Sequence, residues 1–309
     1  MRTPGSAQWQ RREESAEAMG ATFTLILYGQ EAARLEAAVE EAFRELRRLE
    51  EMLSPFRPES EWSRVNLHAE RGVPVSPELF QLLSRCQEFS RHSQGAFDIS
   101  IGPLMEIWRA SHGEERNPWP EEMASACRRV GFSFLQLNPE GREVRFLRPG
   151  MRLDPGGIGK GYAVDRIVDV LRARRVRRAM VVGGGSSIRG LGAPPDRPEG
   201  WSVLIADPRN PQRPASRVFL SNESLSTSGS SRPIGGKFGS GRDHIFDPVS
   251  GSSCGRSFSV SVRGEKAINT EAWTKPCLLR GPAWVRKHKP SNLQVLFCGH
   301  PEAPHTEWI

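Results

Sequence analysis

No run in the 309 residues is long and apolar enough to read as a transmembrane helix, and residues 1–18 lack the apolar core that a secretory signal or lipoprotein anchor needs. Arg11 and Arg12 lead into acidic residues, not into an apolar stretch. Cysteine is sparse: Cys86, Cys127, Cys254, Cys277 and Cys298 are odd in number, widely spaced and without any C-x-x-C pair, so neither a zinc site nor a disulfide framework is signalled. The chain as it stands is expected in a reducing cytoplasm, and outside it if a leader has been trimmed. There is no internal repeat, no Walker A loop and no G-x-G-x-x-G. The net charge of +7 is modest for the length. The run Arg172, Arg174, Arg175, Arg177 and Arg178 has no interleaved aromatics and reads as a solvated helix end that compensates the dipole, so no nucleic-acid partner is expected.

What the chain does have is length for a large core, in one domain or two lobes, and one stretch dense in chemistry. Residues 153–165 read LDPGGIGKGYAVD. Asp154 follows the apolar-alternating segment 144–153 and is expected at a strand end. Gly156, Gly157, Gly159 and Gly161 remove side chains where a backbone can approach a ligand, and apolar positions 163, 164, 167, 168 and 171 predict a helix that starts near Lys160. Free N–H groups and the dipole at such a start favour phosphate oxygens. Two readings stay open here: an anion-binding turn, or a bend whose glycines serve only the bend.

Along the chain, residues 1–18 are expected as a flexible polar arm and 19–309 as a single domain. A strand should open near Met19 and end at Gly29, and apolar positions 35, 39, 43, 46, 49 and 53 predict a helix over 31–53. Pro55 and Pro58 stop it and display Phe56 on a loop, either as a stacking surface or as a plug over the core. Ser76 and Pro77 read as N-cap and first residue of a helix that reaches about His92. Further helices are expected from Leu104 and over 120–130, a hairpin over 132–147, and strands over 179–182, 201–206, 216–220 and 257–262. A proline-rich loop should occupy 208–214 and a flexible one 235–241, and the last helix, over 267–279, should be interrupted at Pro276.

Seven segments in this order, MGATF at Met19, LSPFRPESEWSRVN at Leu53, GAFDISIGPL at Gly95, LDPGGIGKGYAVD at Leu153, VVGGGSSIRGLG at Val181, STSGSS at Ser226 and HIFDPVSG at His244, resemble the FAD:protein FMN transferase (ApbE) family. The resemblance implies a two-lobed α+β fold, mixed sheets flanked by helices, with FAD in a cleft between the lobes. It implies FMN transfer from FAD to a Thr or Ser hydroxyl of an acceptor protein, with AMP released and Mg²⁺ assisting. By the same resemblance Met19 and Phe56 flank the flavin, and Ala96, Phe97 and Asp98 hold the adenine and ribose side. Asp154, Lys160, Ser228 and Ile245 line the nucleotide site, and Lys160 and His244 are catalytic, His244 as the base at the acceptor hydroxyl. Gly157 would offer its carbonyl to the metal.

The resemblance breaks at the metal helix. Where the family carries D-A-x-x-T, this chain reads Glu271-Ala272-Trp273-Thr274-Lys275. An ammonium cannot ligate a cation, and Thr274, one residue early, is turned about 100° off the family's face. Lys275 is expected in the place of a metal ligand, paired with the Glu271 carboxylate at i, i+4; the alternative is a turned helix in which Thr274 joins Glu271 as ligand and Lys275 faces solvent. Two rival activities accompany the transferase reading: FAD pyrophosphatase, and a silent FAD-binding protein.

Overall fold

The computed structural model describes residues 9–114, 116–229, 245–254, 258–302 and 308–309. A hairpin of β1 (Gln10–Ala18) and β2 (Ala21–Gly29) comes first, then helices α1 (Ala32–Leu53) and α2 (Glu61–His68), the short strand β3 (Val73–Pro74) and α3 (Pro77–His92). Helices α4 (Gly102–Gly113) and α5 (Pro120–Cys127) precede the hairpin β4 (Leu135–Asn138) and β5 (Glu143–Phe146), followed by α6 (Gly159–Ala173). Strands β6 (Arg178–Gly183), β7 (Ser187–Leu191), β8 (Trp201–Asp207), β9 (Asn210–Leu220), β10 (Ser224–Gly229) and β11 (Ser259–Gly264) lead to α7 (Ala267–His288) and β12 (Gln294–Cys298).

The main sheet runs β1-β2-β6-β7-β10-β11-β12. In β2 every second residue, Phe23, Leu25 and Leu27, points inward and is fully buried. Against this sheet α1 turns one apolar stripe, including Leu35, Val39, Ala42, Leu46 and Leu49. Helix α6 lies between α1 and α7 and covers β6 and β7, while α7 covers β10 and β11. Burying each such Leu or Phe stabilises the fold by about 1.5–3 kcal/mol, so these three helices and the sheet form the main core. The start of α3 is set as its residues predict, with Ser76 Oγ accepting from Leu79 N at 3.2 Å and proline at the first helical position. A smaller core joins the β8–β9 ribbon to Leu225 and Leu296, and another joins Leu104 of α4 and Ala126 of α5 to Phe246.

The α+β class stands, but where mixed sheets are expected every ladder among the described residues is antiparallel, and parallel pairing there is confined to the isolated bridge of Ile101 with Arg152. Residues 10–18, expected as part of a flexible arm, form β1, an edge strand exposed at six of its nine positions and held by pairing with β2. Alternation cannot reveal a strand that buries neither face, and its charges suit an unpaired edge. Met19 and Gly20, with φ of 54° and 69°, make the two-residue turn of that hairpin. Strand β9 takes up residues expected as loop, and shifts of register beside Ala206 absorb the irregularity. The helix continues through Pro276 and kinks at Gly281, whose φ of 78° and ψ of 179° are not helical.

Candidate active site

The site begins at the end of the segment that follows β5. Leu153 is gripped from both sides: its carbonyl accepts from Trp62 Nε1 and Asn66 Nδ2, each at 3.0 Å, and its N–H donates to Asn66 Oδ1 at 2.7 Å. Trp62 and Asn66 lie one turn apart on α2, so one helix face fixes this segment, which is not the strand end expected before Asp154: β5 stops at Phe146, and only Arg152 makes an isolated bridge, to Ile101. Asp154 is then buried, and its Oδ1 accepts from Gly156 N at 2.8 Å, capping the short 3₁₀ turn Pro155–Gly157. Its other oxygen pairs with Arg109 of α4. The Asp154 N–H donates to Ile99 O at 2.7 Å, which fastens this turn to the 93–101 loop.

That loop is self-supporting. Ser93 Oγ accepts from Phe97 N at 2.9 Å, and Asp98 accepts from Ser100 N at 2.8 Å and Phe132 N at 2.7 Å. Burial pushes the Asp98 carboxyl up from its ordinary value to about 6, against the opposing pull of those hydrogen bonds.

Helices α6 and α7 cap one another. Ile158, the residue before α6, has no side chain that can cap it. Glu271 of α7 does so instead: its Oε2 accepts from Gly161 N, and its Oε1 lies 3.4 Å from Lys160 Nζ. In return Asp165 of α6 accepts from Ala267 N at 2.9 Å and Ile268 N at 3.0 Å, the first turn of α7, and pairs with the buried Arg189. Gly161 has to be glycine, because a Cβ there would stand 2.5 Å from Ala267 O and 2.9 Å from Glu271 Oε2.

These turns enclose a cavity of about 660 Å³. Of the residues expected at the site, Ala96, Phe97, Asp98, Asp154, Gly157 and Lys160 line it, and so do Ser228, Ile245, Glu271, Thr274 and Lys275. Met19 and Phe56 do not. Met19 packs its methyl against Gly159, and Phe56 is 74% exposed, with the guanidinium of the lining residue Arg109 5.4 Å from its ring centroid. Phe56 is thus no core plug. His244 and the 235–241 loop lie outside the described residues. Residue reasoning missed Met105, Trp108 and Arg109, which line the cavity from one face of α4. Their i, i+3, i+4 spacing after the GAFDISIGPL segment was the available signal.

The metal helix differs from expectation. Lys275 Nζ donates to the backbone carbonyl of Glu271 at 3.1 Å, while the Glu271 carboxylate goes to Lys160 and Gly161. Lys275 does not face bulk solvent: it opens onto the cavity, with Cε 3.7 Å from where a Cβ on Gly157 would stand. Desolvation lowers its pKa to about 8, opposed by Glu271 and helped by Lys160. Thr274 Oγ1 donates back to Glu271 O at 2.7 Å and accepts from Ser228 Oγ at 2.8 Å. Among the described residues no three His, Cys, Asp or Glu gather as a metal site. A divalent ion about 4 Å from the Lys275 ammonium would be repelled by roughly 8 kcal/mol at an effective dielectric near 20. The donors present here therefore do not fit Mg²⁺.

A family model described as the ApbE family matches residues 19–297. The chain is similar to the FAD:protein FMN transferase of Treponema pallidum (strain Nichols), with 31% identity over 81% of this chain and 73% of the relative. It is also similar to one of Klebsiella pneumoniae (strain 342), with 29% identity over 84% of this chain and 79% of the relative. Among solved structures, the ApbE protein of Thermotoga maritima superposes with a TM-score of 0.82 at 24% identity, covering 93% of this chain and 94% of that one. The flavin transferase ApbE of Vibrio cholerae does so with a TM-score of 0.80 at 24% identity, covering 94% of each chain.

Proposed function

This chain belongs to the ApbE family, and on that footing we propose that it transfers FMN from FAD to a Thr or Ser hydroxyl of an acceptor protein and releases AMP. The observation that carries the reading is the convergence of four separate segments, around Phe97, Asp154, Ser228 and Glu271, on one cavity whose size suits a nucleotide. Residues 19–309 are read as a single two-lobed transferase domain around it. The acceptor oxygen bonds to the FMN phosphorus, the bond from that phosphorus to the bridging oxygen breaks, and AMP leaves with that oxygen. His244 takes the hydroxyl proton; support for this is that it precedes Ile245, a residue of the cavity lining, in the sequence, and that histidine is the side-chain type suited to act as a base near neutrality. Lys160, at the start of α6, faces the charge that develops on the phosphates. The 96–98 loop takes the adenine and ribose, and Phe56 and Met19 border the flavin.

Incubation with FAD, with and without an acceptor protein, tests the reading through AMP. The account predicts AMP only when acceptor is present. AMP without acceptor would identify a pyrophosphatase instead, and bound FAD with no AMP in either case a silent binder.

A further inference from the structure

We propose that Lys275, held between Glu271 and the Gly156–Gly157 turn, supplies the fixed positive charge at the FAD pyrophosphate, so that this chain binds the nucleotide without a divalent cation. The inference rests on the flavin-transferase reading of the same cavity. Three observations lead to it. The Glu271 carboxylate is committed on both oxygens, to the open N-terminus of α6 through Gly161 and to Lys160. The Lys275 ammonium is steered by the Glu271 carbonyl, 3.1 Å away, and its stem passes over Gly157, where a side chain would meet the Phe97 ring at 3.4 Å. The Thr274 hydroxyl is engaged by Glu271 O and Ser228. Lys160 is thus matched by the Glu271 carboxylate, whereas Lys275 is held only by a backbone carbonyl, so that among the described residues no carboxylate pairs with its charge at a wall of small residues that includes Gly157 and Ser228.

The departures at 271 and 275 explain one another. Glutamate has one methylene more than aspartate, and here its carboxylate spans from α7 to the α6 start. Once the carboxylate caps a helix it is no longer a free anionic ligand, and the charge a cation would bring comes from the lysine. An ammonium attracts phosphate as a point charge but does not orient it as a coordinated ion does. Orientation is then left to Lys160 and the glycine turn, because the Ser228 O–H is already donated to Thr274.

Quenching of FAD fluorescence, titrated in EDTA and in millimolar MgCl₂, tests this, with inorganic pyrophosphate followed by thermal shift as a second probe and Mn²⁺ binding followed by electron paramagnetic resonance. The wild type should bind FAD with dissociation constants within about twofold in the two buffers, bind pyrophosphate in EDTA, and hold no stoichiometric Mn²⁺. Lys275→Thr should weaken FAD in EDTA by roughly tenfold or more. Lys275→Gln, which keeps the stem, should do the same and serves if the threonine variant does not fold. Pyrophosphate binding in EDTA without FAD binding would sink the flavin reading and leave the charge assignment standing. Failure of both probes in EDTA, a tenfold tightening of wild-type FAD binding by Mg²⁺, stoichiometric Mn²⁺ in the wild type, or variants that bind as the wild type does in EDTA would each overturn the proposal.

Discussion

Phe56 is the large apolar side chain most exposed near the cavity, with Arg109 linking it to Asp154. Exposure of this kind has little to do with the core, so Phe56→Ala should leave the unfolding free energy within about 0.5 kcal/mol of wild type. If the ring borders the flavin, FAD should bind about tenfold more weakly in that variant, and an unchanged dissociation constant would remove Phe56 from the site. His244→Asn should keep FAD affinity and lose transfer by about two orders of magnitude or more, as measured by AMP release in the presence of acceptor. Transfer at the wild-type rate would take His244 out of the mechanism. Asp98 gives a pH prediction. Its folded-state pKa of about 6 lies above its ordinary value, so the native state holds a proton that the unfolded chain gives up. Native stability is therefore lost relative to Asp98→Asn as pH rises from about 4 to about 6, by on the order of 3 kcal/mol. Urea unfolding of both proteins across that range reads the difference, and a constant gap would contradict a raised carboxyl.

At the scale of elements, the reciprocal caps of α6 and α7 decide how firmly the cavity floor is held. Asp165 satisfies two N–H groups of α7 and the guanidinium of Arg189, which is 2% exposed. Asp165→Ala removes the partner of a buried charge and should cost about 3–5 kcal/mol in chemical denaturation, whereas a loss below 1 kcal/mol would mean that the pair is dispensable. Helices α1, α3 and α6 are legible in the sequence because each writes a 3.6-residue stripe or carries its own cap, as Ser76 does. Strands β1, β7 and β12 are not: β1 is polar on both faces, and β7, SIRGL, is too short and mixed to show a period. The capping of α6 by Glu271 joins residues 110 positions apart, and no local pattern predicts it.

At the scale of the molecule, helix α6 and the sheet beneath it carry the lysine and the glycine turns, while the 93–101 loop, α4 and α7 close the cavity around them. The ordered motifs name most of the residues that line this cavity, since each motif marks a turn whose backbone reaches it. What they could not supply was the exchange of partners at Glu271 and Lys275, because side-chain pairing there depends on packing between helices whose paired residues, Gly161 and Glu271, lie 110 positions apart. Intact-mass spectrometry of an acceptor protein on which a curated relative acts, incubated with this chain and FAD, tests the central claim most directly. The account predicts an acceptor mass increased by one FMN phosphoester, with AMP in equal amount, and loss of both on mutation of the acceptor Thr or Ser to Ala. An unmodified acceptor beside fully bound FAD would contradict it.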